Sequence, residues 1–284
     1  MVRSKLTALD KINLFLNIYG RLAIGVFRLS WWSPFFMLAI FQIFGFYAFL
    51  WYYLPGWINF ILPLLKLIFS ADNFHYPAYY LALPRIYSLF EIAILGPTLW
   101  IIFSAAASYR LGHLYDDEKV SIGECFNASV NKYLPLLVVW IFETALVLLI
   151  LYLPGVILKS QLDGAPNRIM VLRLLLQMVG FGISAMLIYA IPGIILDNKR
   201  LFEAIGDSIS LFFKNIFLSY FIIFLPNIPR LILNLLLGDL APRIINLLNP
   251  ELIPTLLFTS IVLGIFINYY VYGAAVFVYK ELSR

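Results

Sequence analysis

Glu143 stands in the run VVWIFETALVL, eleven residues beyond Lys132, with no basic residue inside the run to pair with it. Asn268 occupies a similar depth in another apolar run, twelve residues before Lys280, and Asn227, Gln42 and Gln177 fall inside three more. A charge at the centre of a hydrocarbon layer costs roughly 2.5–3.5 kcal/mol even on insertion-based scales, so a carboxyl there needs a proton or a partner. Two chemistries fit such residues. Glu143, Asn268 and Asn227 can line a polar pocket or a proton-linked path between helices. Alternatively, these three with Gln42 and Gln177 are hydrogen-bond glue between helices, each worth about 0.6–2 kcal/mol. Glu91 lies near the outer end of the second run with Arg85 close by, and Arg230 can reach an interface by extending its aliphatic stem. Prolines at 97, 192, 226 and 229 remove backbone donors, and FLPNIPRL at 224–231 is the most interrupted stretch. Broken helices of this kind either build transporter binding sites or are inert kinks.

Other chemistries lack their residues. There is no phosphate-binding glycine loop, no G-x-S-x-G elbow and no H-E-x-x-H metal helix. His113 with Asp116, Asp117 and Glu118 offers a metal or phosphate-ester site, against the plainer reading of a solvated acidic loop; His75 has no supporting motif. With one cysteine, Cys125, no disulfide can close within the chain. No catalytic set, cofactor or metal site is expected.

The elements that must position these residues follow from composition. Hydrophobic residues make up 63% of the 284 and charged residues 12%. That is more apolar surface than a soluble core of this size can hide. Runs of about 20 apolar residues, the length that crosses a hydrocarbon core of roughly 30 Å, recur six times. They cover residues 34–54, 86–109, 133–158, 174–196, 215–237 and 254–279. They are too long, and too apolar on every side, for the alternating ten-residue strands of a membrane barrel. The expected fold is an all-α integral membrane protein with six transmembrane helices. The net charge of +5 sits in the segments flanking the runs, so it reads as orientation and contact with anionic lipid, not as nucleic-acid binding. With the N-terminus inside, the inner segments hold 13 Lys and Arg and the outer ones 7, which predicts both ends on the cytoplasmic side. No removable signal peptide is expected at the start. The segment 57–69, WINFILPLLKLIF, is too short to cross and is read as interfacial or re-entrant, beside an outer aromatic cluster of Trp51, Tyr52, Tyr53 and Trp57.

The segments before spans 1, 3 and 5 resemble one another. They carry A-I-G at 23–25, S-I-G at 121–123 and A-I-G at 204–206, offset by 98 and 83 residues. In the first, Ile12, Phe15, Tyr19, Leu22, Val26 and Leu29 fall on one helical face, with Asn13, Asn17, Arg21 and Arg28 towards the other. In the third, Phe202, Ile205, Ile209 and Phe212 oppose Glu203, Asp207 and Lys214, and Asn198 is placed to cap the helix. Such amphipathic helices either lie in the interface as elbows beneath the bundle or form a docking ring for a partner or lipid, through Arg21, Arg28, Glu203 and Asp207. One polytopic domain, 1–284, is expected, built as a threefold repeat of a helix plus two spans with approximate units 10–109, 117–196 and 198–284.

The unit order, with LDNKRLFEAIGDSISLFFKN at 196–215 and the closing VYKELSR, resembles the six-span prokaryotic membrane proteins related to the membrane domain found beside glycerophosphodiester phosphodiesterases. Ala204, Ile205 and Ser208 match the family's A-L-x-x-S helix, and Tyr279, Glu281 and Arg284 its tail; Ile209-Ser210 stands where a bulky aromatic is usual. The resemblance implies a membrane domain of undefined activity in a prokaryotic inner membrane, without the separate catalytic domain. The function expected is a non-enzymatic membrane subunit that binds lipid or a protein partner on its cytoplasmic face, as part of a transport or assembly complex. The alternative is a small-molecule or lipid transporter with a polar site near Glu143.

Overall fold

Where no water reaches the backbone, its donors and acceptors must pair within the segment, and a helix achieves this. The computed structural model of the protein describes residues 7–51, 59, 63, 78–158, 166–238 and 240–283. Every regular element among them is helical. The 57–69 segment lies outside the described residues except at 59 and 63, as do Tyr52, Tyr53, Trp57 and His75. The helices are α1 (Ala8–Gly25), α2 (Leu29–Leu50), α3 (Ala78–Phe90), a π-helical stretch (Glu91–Trp100), α4 (Ile101–Tyr115), α5 (Ile122–Asn131), α6 (Tyr133–Ile157), α7 (Pro166–Leu187), α8 (Ala190–Leu196), α9 (Leu201–Lys214), α10 (Ile216–Leu237), α11 (Ala241–Leu247) and α12 (Leu252–Ser283).

Six helical stretches are long and apolar enough to cross a membrane: Leu29–Leu50, Tyr79–Tyr115, Tyr133–Ile157, Asn167–Leu196, Ile216–Leu237 and Leu252–Ser283. Each contains most of one expected span. The second is the most altered, at 37 residues where 24 are expected. Pro84 does not stop it, and it runs into a π-helical stretch around Pro97, where the looser pattern accommodates the missing donor. Glu91 is thereby twelve residues inside this helix instead of near its end.

The other prolines are accommodated locally. Pro192 has no N–H for the carbonyl of Ile188, and the helix breaks at Ile188–Tyr189 and restarts at Ala190. Pro192 then falls in the first turn of α8, where that N–H has no intrahelical partner in any case. The stretch 224–231 is not broken: α10 runs through Pro226 and Pro229. Pro226 leaves the Ile222 carbonyl without its usual donor, and the Tyr19 hydroxyl, from α1, donates to that oxygen at 3.3 Å. Asn227 Nδ2 donates to the Ile223 carbonyl at 2.8 Å in the same turn.

The chain folds as two compact units. The first comprises Met1–Phe35, Ile101–Asn227 and Ile267–Arg284. Its α4, α6, α8 and α9 pack around Ala105, Val139, Ala190, Ile194 and Ala204. Close approach of α1 to α12 depends on two glycines. A Cβ at Gly25 would fall 2.3 Å from the Tyr269 hydroxyl, and one at Gly273 would fall 2.6 Å from Leu22. Tyr269 donates there to the Leu22 carbonyl at 2.9 Å. The second unit comprises Phe36–Trp100 and Ile228–Phe266, with Phe46, Leu83, Tyr87, Leu237, Ile253 and Leu257 in its core.

The helices preceding the spans start differently. Thr7 with Asp10, and Ser121 with Glu124, form capping boxes on α1 and α5. The cap of α9 is Arg200, which makes no side-chain bond. Asn198 does not cap α9; at φ 54° it ends α8, a left-handed geometry that Asn tolerates. Asp117, at φ 59°, ends α4 in the same way, with the Glu118 N–H donating to the His113 carbonyl at 2.9 Å. The three triplets also differ in place: 23–25 closes α1, Ser121 caps α5, and 204–206 lies early in α9. Gly25 is tightly packed, whereas Gly206 has nothing within 4 Å of a Cβ.

Candidate functional site

The polar side chains inside the spans fall into two separate arrangements. In the second unit, four elements converge on Glu91. Gln42, on α2, donates from Nε2 to Glu91 Oε1 at 2.7 Å. Tyr87, one turn before Glu91 and therefore on the same face, places its hydroxyl within hydrogen-bond reach of the carboxylate and 3.3 Å from the Gln42 backbone oxygen. Arg230, on α10, acts electrostatically on the carboxylate from the facing side. Gly264, on α12, makes room for it, since a Cβ there would lie 3.4 Å from Arg230 Nη2. Gln42 and Tyr87 are buried, at 5% and 2% exposure, so this is interior chemistry. An amide donor, a phenol hydroxyl and a guanidinium thus surround one enclosed carboxyl group.

Of the five candidates read from the sequence, only Gln42 belongs to this cluster. Arg85, the residue expected beside Glu91, is exposed. Six residues along a helix is a rotation of about 240°, so the two point to different faces. The signal for Tyr87 was the four-residue spacing; nothing local to the sequence joins Gln42 or Arg230 to them.

Glu143, in the first unit, hydrogen-bonds Ser184 across α6 and α7. Asn227 bonds its own helix, and Asn268 is buried at 5% exposure. No hydrogen bond joins Glu143, Asn227 and Asn268 to one another. Gln177 keeps a buried Oε1 without a partner.

At the helix ends of the first unit, one docking candidate, Asp207, is ion-paired and the other three, Arg21, Arg28 and Glu203, are exposed. Lys199 pairs with Asp207 at 2.7 Å and lies over the Tyr279 ring. Burial pulls on the Lys199 ammonium, but its bonds to Asp207 and Tyr279 outweigh that and hold its pKa above the ordinary lysine value. Tyr279 donates to Asp197 at 2.5 Å, Lys280 pairs with Asp116 at 2.7 Å, and Tyr115 donates to Glu281. Arg21 lies over the Tyr115 ring and Arg28 over the Trp31 ring, while Glu203 is exposed. His113 pairs with Glu118, and among the described residues no group of three or more His, Cys, Asp or Glu is placed to hold a metal ion.

Apolar surface is more continuous. A groove of about 500 Å³ runs between α7, α9 and α10, lined by Leu175, Met178, Gly182, Met186, Phe212 and Tyr220 among others. With no acid or base in its lining, it suits hydrocarbon. No protein family, curated protein or solved structure matches this chain. The six apolar helices define it as an integral membrane protein.

Proposed function

We propose that the chain is a non-enzymatic integral membrane subunit that binds lipid or a partner protein through the helices preceding its spans. The observation that carries this is apolar exposure on helices that are not themselves spans. On α1, Leu9, Ile12, Leu16 and Ile24 lie on the open side, with Phe27 just beyond at 91% exposure, and on α9 Phe202 and Phe213 are open. Exposed polar residues, Asn13, Asn17 and Arg21 on α1 and Glu203 on α9, stand beside them, a mixed surface suited to a partner or to the boundary of headgroups and acyl chains. The buried face of α9 is formed by Ala204 and Ser208, and Ser208 donates to the Met186 carbonyl at 2.7 Å. Packing of that kind supports an amphipathic helix fixed against the bundle. The element order, three times a helix followed by two spans, supports the threefold repeat, and the resemblance to six-span prokaryotic membrane domains is consistent with it. In this reading both ends are cytoplasmic, the membrane is a prokaryotic inner membrane, and the complex served is one of transport or assembly.

The test is photocrosslinking from a benzophenone amino acid at positions 27, 202 and 213 of the full chain in its native membrane. Lipid adducts, or one discrete protein adduct, are expected at all three. Adduct yields no higher than from the polar position 203 would rule the reading out.

A second reading, a small-molecule or lipid transporter with a polar site near Glu143, draws also on Glu91, Gln42, Tyr87 and Arg230. A carboxylate facing a guanidinium beside a π-helical stretch is a charge arrangement that a gating motion can open. Flux in proteoliposomes that Glu91→Gln leaves unchanged would remove it.

A further inference from the structure

Among the described residues Arg110 makes no ion pair. It lies on α4, and its Nε and Nη1 atoms are buried with no hydrogen-bond partner. Of the carboxylates nearest in sequence, Asp116 pairs with Lys280, Glu118 with His113 and Glu124 with the backbone N–H of Ser121, and none of them, the exposed Asp117 included, bonds the Nε or Nη1 of Arg110. What feels the Arg110 charge is the buried thiol of Cys125 on α5, which donates to the Ser121 carbonyl and offers no negative charge. A guanidinium removed from water and left unpaired is strongly unfavourable, and buried donors in folded proteins find partners. The side chain as a whole is only half-buried, so a group from outside can reach it. Its place in the sequence indicates which group. Arg110 directly follows the apolar run 86–109, at the end read as cytoplasmic, where the phosphates of anionic phospholipids are abundant.

We propose that Arg110 receives the phosphate group of an anionic phospholipid at the Nη2 end of its guanidinium, the end not enclosed by the protein. The proposal rests on the lipid-binding reading for the source of the phosphate, while the unpaired cation stands without it. A free phosphate ion has the same chemistry, and an acidic segment of a protein partner would be a different occupant.

The experiment melts the full chain in detergent micelles, alone and with phosphatidylglycerol, diacylglycerol or inorganic phosphate, for wild type, Arg110→Met and Arg110→Lys. Wild type is expected to gain several degrees with phosphatidylglycerol and nothing with the other two. Arg110→Met is expected to melt no lower than wild type without lipid, and to bind phosphatidylglycerol about tenfold or more weakly. A wild-type response to phosphatidylglycerol that survives in Arg110→Met overturns the proposal. So does an equal wild-type response to diacylglycerol, which makes the effect one of hydrocarbon, or to inorganic phosphate, which makes the source a free ion. Lack of any wild-type response overturns it in favour of another occupant. Arg110→Met melting well below wild type without lipid does the same, since the protein itself then satisfies the guanidinium. If Arg110→Met does not accumulate, Arg110→Lys decides: it keeps the charge but not the guanidinium, so a several-fold weaker response is expected and an unchanged one overturns the assignment. Crosslinks from positions 27, 202 and 213 do not involve Arg110, so failure here and failure of the lipid-binding reading are separately visible.

Discussion

At the scale of residues, the two membrane carboxyls differ in what depends on them. Glu91 is the acceptor for Gln42 and faces Arg230, so removing it strands a buried amide and a guanidinium together. Glu91→Leu is expected to lower stability by about 3 kcal/mol, and Glu91→Leu combined with Arg230→Met to recover most of that loss. Chemical or thermal unfolding of the four members of this cycle in one detergent measures the coupling; additive effects would mean that the two do not interact. Glu143 has Ser184 alone, and glutamine retains a hydrogen bond to a hydroxyl. Glu143→Gln is expected to change stability by less than about 1 kcal/mol in the same assay. Cys125 adds a check outside the spans. Burial raises its thiol pKa, with the Arg110 charge only partly offsetting this, and it is fully enclosed. Because the thiolate is the reactive form, alkylation near pH 8 is expected to be slow until the protein unfolds. Rapid labelling of the folded protein would contradict that burial.

At the scale of elements, the spans were legible because a membrane helix announces itself by length and apolarity alone. Their interruptions were less so. Pro192 stops a helix and Pro226 does not, because the Tyr19 hydroxyl meets the carbonyl that Pro226 leaves open. Tyr19 is 207 residues away in the sequence, and no local pattern links the two. The Glu91 cluster was hidden for the same reason, since three of its members come from three different helices. Asn198 was misassigned as a cap because Asn favours both a helix start and the left-handed end of the preceding helix. The shared glycine of the triplets was visible, but its surroundings were not. Gly25→Ala is expected to cost about 1–3 kcal/mol, since its Cβ would meet Tyr269 and Trp31. Gly206→Ala, in open space within α9, is expected to stabilise by roughly 0.5–1 kcal/mol. Melting the two variants side by side checks this, and equal effects would make the triplets structurally equivalent after all.

At the scale of the whole molecule, six helices of spanning length and a basic excess on alternate segments are the grounds for the proposed topology, with both ends cytoplasmic. Loss of the membrane would leave large side chains such as Tyr152, Val156 and Phe217 exposed to water, so aggregation on detergent removal follows from the same surface. The most direct measurement of the topology uses a Cys125→Ser background with single cysteines at positions 10, 118, 198, 249 and 283. These are probed with a membrane-impermeant maleimide in intact cells and after lysis. The account predicts that position 249 labels in intact cells, while 10, 118, 198 and 283 label only once the membrane is opened. Position 10 labelling from outside while 118 does not would mean that the 57–69 segment crosses, and position 283 labelling together with 249 would contradict the six-span arrangement itself.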